Sequence, residues 1–146
     1  MKVLVANDGS DAAVEAARQG MALLVDGDEV VVMNVADPAP VLSAAAMSGS
    51  GPAVPMIDNA HEQMLAAAAE AVARTATALS VAAEQRVELG RPGPVICQFA
   101  ADAHADVVVV GSRGLGLLRR ALLGSTSSYV VHNAPCPVLV VRATNH

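Results

Sequence analysis

Aromatic residues are almost absent from this chain of 146 residues, which has one phenylalanine, one tyrosine and no tryptophan. Without aromatic side chains it lacks a platform on which the bases of single-stranded nucleic acid stack. A net charge of −5 also provides no general basic surface for a phosphate backbone. We therefore expect no nucleic-acid partner, and we expect any bound phosphate to be held by a local site.

Cysteine and lysine are also scarce: the chain has two cysteines, Cys97 and Cys136, and one lysine, Lys2. The cysteines have neither a CxxC nor a zinc-type spacing, which favours reduced thiols over a disulfide or a structural metal. No signal peptide precedes the first apolar run, and polar residues break every apolar run before it could cross a membrane. We expect a cytoplasmic protein with no membrane partner.

The rest of the composition indicates one folded domain over residues 1–146, because 53% of the residues are hydrophobic and only 16% are charged. Short apolar runs alternate with helical patterns along most of the chain. The predicted strands are Lys2–Asn7, Val30–Val35, Ala83–Leu89, Ala105–Gly111 and Cys136–Val141. Four helices are predicted. The first begins after Ser10 or Asp11, and its apolar face carries Val14, Ala17, Met21 and Leu24. The second runs from Asp58 to about Ser80, the third begins around Pro94, and the fourth runs from Ser125 to His132.

One segment, 36–57, has no clear period and is rich in proline, glycine, serine and alanine. We expect a flexible loop there, either a lid or a connection without function. The remaining pattern predicts the α/β class: an open, parallel, five-stranded sheet with helices on both faces, of the Rossmann-like type. Such sheets bind ligands at the carboxyl ends of their strands, where the strand order reverses.

The most distinctive of these strand ends is the segment "GSRGLGLLRRALLGSTS", Gly111 to Ser127. It is not a P-loop, since no lysine follows its last glycine, and a GxGxxG match from Gly114 fails at Arg119. Its spacing is Gly111-x2-Gly114-x9-Gly124-Ser125. Glycines let backbone N–H groups approach an anion, and a helix that begins at Ser125 adds free N–H groups and a positive dipole end. A long turn with a serine cap explains the spacing equally well.

Over nearly its full length the chain resembles the universal stress protein family. The similar segments are "KVLVANDGS", "VVVMNVADP" and "DVVVVGSRGLGLLRRALLGSTSSYVVHNAPCPVLVVR". In that family the G-x2-G-x9-G-[S/T] spacing marks members that resemble ATP binders. The family often has an apolar residue where Asn7 stands.

The resemblance implies a nucleotide site. Asp8 would lie beside the adenosine moiety and the backbone of Val35 would meet the adenine. The ribose and phosphates would be surrounded by Gly111, Ser112, Arg113, Gly114, Gly124, Ser125 and Thr126. The ligand is expected to be ATP, or ADP, AMP or cyclic AMP, with Mg²⁺ held through the phosphates.

Three functions remain open: a non-enzymatic nucleotide-binding protein of the stress-response type, a slow Mg²⁺-dependent ATPase, and an interaction module that binds no nucleotide. No GxSxG elbow and no metal-ligand spacing of the histidines is present, so we expect no catalytic residue and no protein-bound metal. The last strand, residues 137–141, is short and apolar and is predicted at a sheet edge. We expect a homodimer that pairs through it, as the resemblance also implies.

Overall fold

The computed structural model describes residues 1–24, 29–47, 49, 54–112 and 123–144. Its elements are β1 Lys2–Ala6, α1 Asp11–Met21, β2 Glu29–Ala36, α2 Ala39–Met47, α3 Val54–Leu79, β3 Ala83–Leu89, α4 Pro92–Asp102, β4 Val107–Gly111, α5 Ser125–Asn133 and β5 Val138–Val141. The strands form one parallel sheet in the order β3-β2-β1-β4-β5. The predicted fold class is confirmed.

Strand order reverses at β1, the central strand of the sheet. The chain passes from β1 outward through β2 to β3, and then returns to the other side of β1 with β4 and β5. Leu4 of β1 is paired with Val31 on one side and Val108 on the other. The carboxyl ends of β1 and β4 therefore lie side by side, which brings Asp8 and Gly111 to the same edge of the sheet.

Helices cover both faces of the sheet, because the buried strands are apolar at every position rather than at alternate ones. On one face Val3, Val32 and Val109 pack with α1 and α3. On the other face Leu4 and Val108 pack with α4 and α5.

The two cysteines lie beside the α4–α5 core. Cys97, on α4, and Cys136, in the turn before β5, are both free and half-buried. Burial raises the pKa of each thiol, and each pKa is raised further by a neighbour, that of Cys97 by Cys136 and that of Cys136 by Asp106. Thiols with a raised pKa stay protonated at neutral pH and are poor nucleophiles.

One expectation about the helices was wrong, and a second was confirmed only in part. Part of the predicted loop 36–57 is helical, since α2 spans Ala39–Met47 and α3 begins at Val54 rather than at Asp58. The backbone N–H of Ala39 donates to Asp37 Oδ1 at 2.9 Å and so starts α2. No residue of α2 is buried, so this helix has no core face that would impose a period on its sequence.

The predicted apolar face of α1 is confirmed in part, since Ala17 is buried and Met21 and Leu24 pack against the core. The buried residues of the helix are Ala13, Ala16, Ala17 and Gly20, whereas Val14 is half-exposed. Small residues face the sheet because the helix packs closely against it: a Cβ at Gly20 would lie 2.8 Å from Cγ1 of Val109. The predicted cap is confirmed, since Ser10 Oγ accepts from the backbone N–H of Ala13 at 3.1 Å.

Candidate functional site

Two adjoining cavities open at the carboxyl ends of β1, β2 and β4. They share Asp8, Val35, Pro92 and Thr126 and so form one space, which we call the cleft. The inner cavity, about 100 Å³, is lined mainly by apolar side chains, among them Ala6, Met33, Ile96 and Val110. The outer cavity, about 470 Å³, is bounded by Met64, Ala67, Ala68 and Ala71 of α3 and by Gly124, Ser125 and Thr126 at the start of α5. Both parts of the cleft are thus mainly apolar and carry a few polar groups, as ligand sites commonly do.

The turn after β1 fixes Asp8 in the wall of the cleft. Asp8 Oδ1 accepts hydrogen bonds from the backbone N–H of Ser10 at 2.9 Å and from Ser10 Oγ at 2.7 Å. The other oxygen, Oδ2, is buried and has no partner among the described residues. A carboxylate with one occupied and one free oxygen is oriented in advance and can still accept a bond from a ligand.

Two buried asparagines join the ends of β1 and β2. Asn34 Nδ2 donates to the backbone carbonyl of Asn7 at 2.8 Å, and Asn7 Oδ1 accepts from the backbone N–H of Gly9 at 2.6 Å. Asn7 Nδ2 is buried and has no partner among the described residues. A buried donor without a partner costs about 1–3 kcal/mol. The unpaired amide of Asn7 therefore lowers the stability of the fold. Sequence reasoning noticed both asparagines at strand ends and assigned neither a role.

The second wall of the cleft is the beginning of α5. Gly124 is its N-cap residue, with φ −68° and ψ 164°, and no side chain caps the helix there. The first N–H groups of a helix have no acceptor within the helix, and the helix dipole favours an anion beside them. Two bonds fasten α5 to β4: Gly124 N–H donates to the Ser112 carbonyl at 2.8 Å, and Ser127 Oγ donates to the Gly111 carbonyl.

Most of the predicted site residues that the structure describes come together at this cleft, namely Asp8, Val35, Gly111, Gly124, Ser125 and Thr126. Ser112 does not line the cleft: it is buried and borders a small separate cavity with Ala12 and Arg142. Arg113 and Gly114 lie outside the described residues. Sequence reasoning missed Pro92 and the α3 residues of the wall, since only the fold brings α3 to this edge.

The described lining of the cleft carries two charges, on the carboxylates of Asp8 and Asp37, and no cationic side chain. Asp37 is already engaged, because it accepts the Ala39 N–H at the start of α2. An anion in this part of the cleft would therefore be held by backbone N–H groups and hydroxyls. Among the described residues, no group of three or more histidine, cysteine, aspartate and glutamate side chains is arranged to hold a metal ion. In the same part of the chain no helix is long and apolar enough to span a bilayer.

Comparison with known proteins fits this arrangement of strands and cleft. The model of the universal stress protein family matches residues 1–142. The chain belongs to the universal stress protein family. A family member from Thermus aquaticus, described as the universal stress protein in QAH/OAS sulfhydrylase 3'region, is 35% identical over 142 residues, which is 96% of this chain and 97% of the relative.

Solved structures share the fold over almost the whole chain. The hypothetical protein MJ0577 superposes with a TM-score of 0.80 at 23% identity, covering 99% of this chain and 97% of that one. A universal stress protein in complex with cAMP gives a TM-score of 0.63 at 25% identity, covering 99% and 98%. An Arabidopsis thaliana family member with AMP bound gives a TM-score of 0.65 at 22% identity, covering 99% and 92%.

Proposed function

We propose that this universal stress protein binds an adenine nucleotide in the cleft and acts without catalysis, as a protein whose interactions depend on the bound nucleotide. The observation that carries the proposal is the meeting of the Asp8 turn, Val35 and the N-terminus of α5 around one partly apolar space. The cAMP and AMP bound by two structural relatives support the choice of an adenine nucleotide.

Each part of the cleft suits a different part of that ligand. The inner cavity suits a flat purine ring, with Val35 offering its backbone beside it. Asp8, with its free carboxylate oxygen, would accept a hydrogen bond from the adenosine moiety. Gly111, Gly124, Ser125 and Thr126 would surround the ribose and phosphates, with Ser112, Arg113 and Gly114 as the family resemblance implies.

The ligand we favour is ATP accompanied by Mg²⁺. The carboxylates of Asp8 and Asp37 repel a bare polyphosphate, and a divalent cation on the phosphates would remove much of that repulsion. AMP and cyclic AMP carry fewer charges and need no cation. Slow hydrolysis of ATP is the second candidate; in that case Asp8 would help to hold Mg²⁺ on the phosphates instead of binding the adenosine moiety. Measuring phosphate release from the ATP-loaded protein separates hydrolysis from binding alone.

Nucleotide is expected to raise the melting temperature of the protein after bound nucleotide has been stripped. A ligand at a hundred times its Kd stabilises the folded state by about 2.7 kcal/mol, which for a chain of this size is roughly 5–10 °C. Differential scanning fluorimetry with ATP, ADP, AMP and cyclic AMP, with and without Mg²⁺, measures the shift. GTP is the control. No shift with any adenine nucleotide at millimolar concentration would instead favour a module that binds none.

We also propose that the protein is a homodimer that pairs through β5. The other edge strand, β3, carries Glu84, Arg86 and Glu88, and charged side chains protect an edge from pairing. The edge strand β5 is Val-Leu-Val-Val and has no charge. The carbonyls of Pro137 and Val141 accept from β4, so by strand alternation Val138 and Val140 direct their backbone groups to the open edge.

Replacing Val140 with proline is therefore expected to convert the dimer to a monomer. Proline removes one outward N–H and leaves the bonds between β5 and β4 in place. Val140→Ala is the matched control, because it shortens the side chain and keeps the N–H. Light scattering at micromolar concentration gives the masses. A monomeric unmodified protein, or a dimeric Val140→Pro variant, would contradict pairing through this edge.

A further inference from the structure

The backbone of Gly9 is held on both sides of its Cα atom. Its N–H donates to Asn7 Oδ1 at 2.6 Å, and its carbonyl accepts from Arg74 Nη2, also at 2.6 Å. Arg74 lies on α3, 65 residues further along the chain. These bonds hold two consecutive peptide groups, Asp8–Gly9 and Gly9–Ser10, and the second group also carries the Ser10 N–H that donates to Asp8 Oδ1.

The same turn lies against the backbone of α3. A Cβ on Gly9 would lie only 2.6 Å from the Cβ of Ala71, so the turn and the helix are in close contact. Ala71 is also one of the α3 residues that line the outer cavity of the cleft. Arg74, one helical turn beyond Ala71, therefore joins the wall that carries Asp8 to the wall formed by α3.

Stability alone does not account for this arginine. Its second contact, Nη2 to Asp11 Oδ1 at 3.0 Å, joins a half-exposed guanidinium to an almost fully exposed carboxylate. Ion pairs in such surroundings contribute little to folding. The bond to the Gly9 carbonyl is different, because the peptide group that carries this carbonyl also carries the Ser10 N–H, which donates to Asp8 Oδ1 and so orients that side chain.

We propose that Arg74 is a positioning residue for ligand binding: by holding the Gly9 carbonyl it keeps the free oxygen of Asp8 directed at the adenosine moiety of a bound nucleotide. The proposal rests on the proposed function for the identity of the ligand. Its structural part, that Arg74 holds the turn, does not depend on any ligand.

The binding test uses AMP and isothermal titration calorimetry. Arg74→Ala is expected to weaken AMP binding about tenfold, because a charge-assisted bond that orients a binding group is lost. Arg74→Lys, which retains a charged donor, should recover most of the affinity. Arg18→Ala is the matched control: it removes an exposed, ion-paired arginine from α1 that has no bond to the turn. It should change the Kd less than about twofold.

A double-mutant cycle shows whether Arg74 acts through Asp8. In an Asp8→Asn background the further change Arg74→Ala should cost less than about twofold, because the group that Arg74 orients has already lost its charge. A full tenfold loss in that background would overturn the proposal. So would unchanged AMP affinity in Arg74→Ala.

Amide hydrogen exchange without nucleotide separates this proposal from the proposed function. In Arg74→Ala the N–H groups of Gly9 and Ser10 should exchange faster than in the unmodified protein, since both belong to the turn that Arg74 holds. If the unmodified protein binds no adenine nucleotide, the proposed function is refuted. Faster exchange in Arg74→Ala would still support the role of Arg74 in the turn. Unchanged exchange at both amides would overturn that role even if the protein binds AMP tightly.

Discussion

Replacing Gly124 with valine is expected to weaken adenine-nucleotide binding by more than a hundredfold while the ligand-free protein stays folded. Gly124 stands where the first N–H groups of α5 face the outer cavity, and a branched side chain would occupy the space that a phosphate needs. Each lost bond to an ionised group is worth about 1.5–3 kcal/mol, so two such bonds account for the loss.

Backbone strain at residue 124 would not account for a loss of nucleotide binding in this variant. Gly124 has φ −68°, which any residue adopts, and its N–H bond to the Ser112 carbonyl remains in a valine variant. Valine is a poor N-cap residue, and we expect a loss of only about 1 kcal/mol in the free energy of unfolding. Calorimetry with AMP and ATP, beside a thermal melt of the free protein, measures both effects.

Two smaller substitutions serve as controls for Gly124→Val. Gly124→Ser introduces a good N-cap residue with little bulk and should retain measurable binding. Ser125→Ala leaves the helix N–H groups in place and removes one hydroxyl, so it should weaken binding less than either change at Gly124. If Gly124→Val folds normally and binds ATP with an unchanged Kd, the phosphates do not lie at the N-terminus of α5.

Replacing Gly9 with alanine is expected to lower the free energy of unfolding by about 3 kcal/mol or more. Gly9 has φ +84°, a conformation that side chains disfavour, and its new Cβ would lie 2.6 Å from the Cβ of Ala71. Neither atom is the end of a flexible chain, so the turn or α3 has to move. Since a domain is stable by only about 5–15 kcal/mol, such a loss is easily measured by urea denaturation.

Gly49 provides the matched control for this prediction. It too has a positive φ, +73°, but no atom of the residues that the structure describes lies within 4 Å of the position of its Cβ. Gly49→Ala therefore carries the cost of the backbone conformation alone, on the order of 1 kcal/mol. An equal loss of stability in the two variants would show that the contact between Gly9 and Ala71 is not close.

The sheet and much of the cleft could be predicted from the sequence because short-range signals specify them. Runs such as Val107–Val110 are apolar at every position, which is typical of a strand buried on both faces. A parallel sheet then places the residues after β1, β2 and β4 at one edge. This geometry explains why Asp8, Val35 and Gly111, which the family resemblance assigned to one site, lie at the same cleft.

The features that could not be predicted depend on contacts between distant parts of the chain. Periodicity fails for α2, in which no residue is buried. It finds only part of the buried face of α1, because Ala13, Ala16 and Gly20 also face the sheet and are too small to stand out as apolar positions. The bond from Arg74 to the Gly9 carbonyl leaves no trace in composition or spacing, because a backbone oxygen accepts it. Ser112 borders a cavity other than the cleft, because a signature does not specify which side of a strand end each residue occupies.

The lack of buried residues in α2 has a consequence for protein engineering. This helix begins two residues after Asp37, which lines the cleft, and contributes no side chain to either core. Exposed segments of this kind accept insertions that core elements reject. A circularly permuted fluorescent protein inserted into α2 would stand beside the cleft without interrupting a strand, and the chain would then serve as an optical sensor for the ligand that it binds.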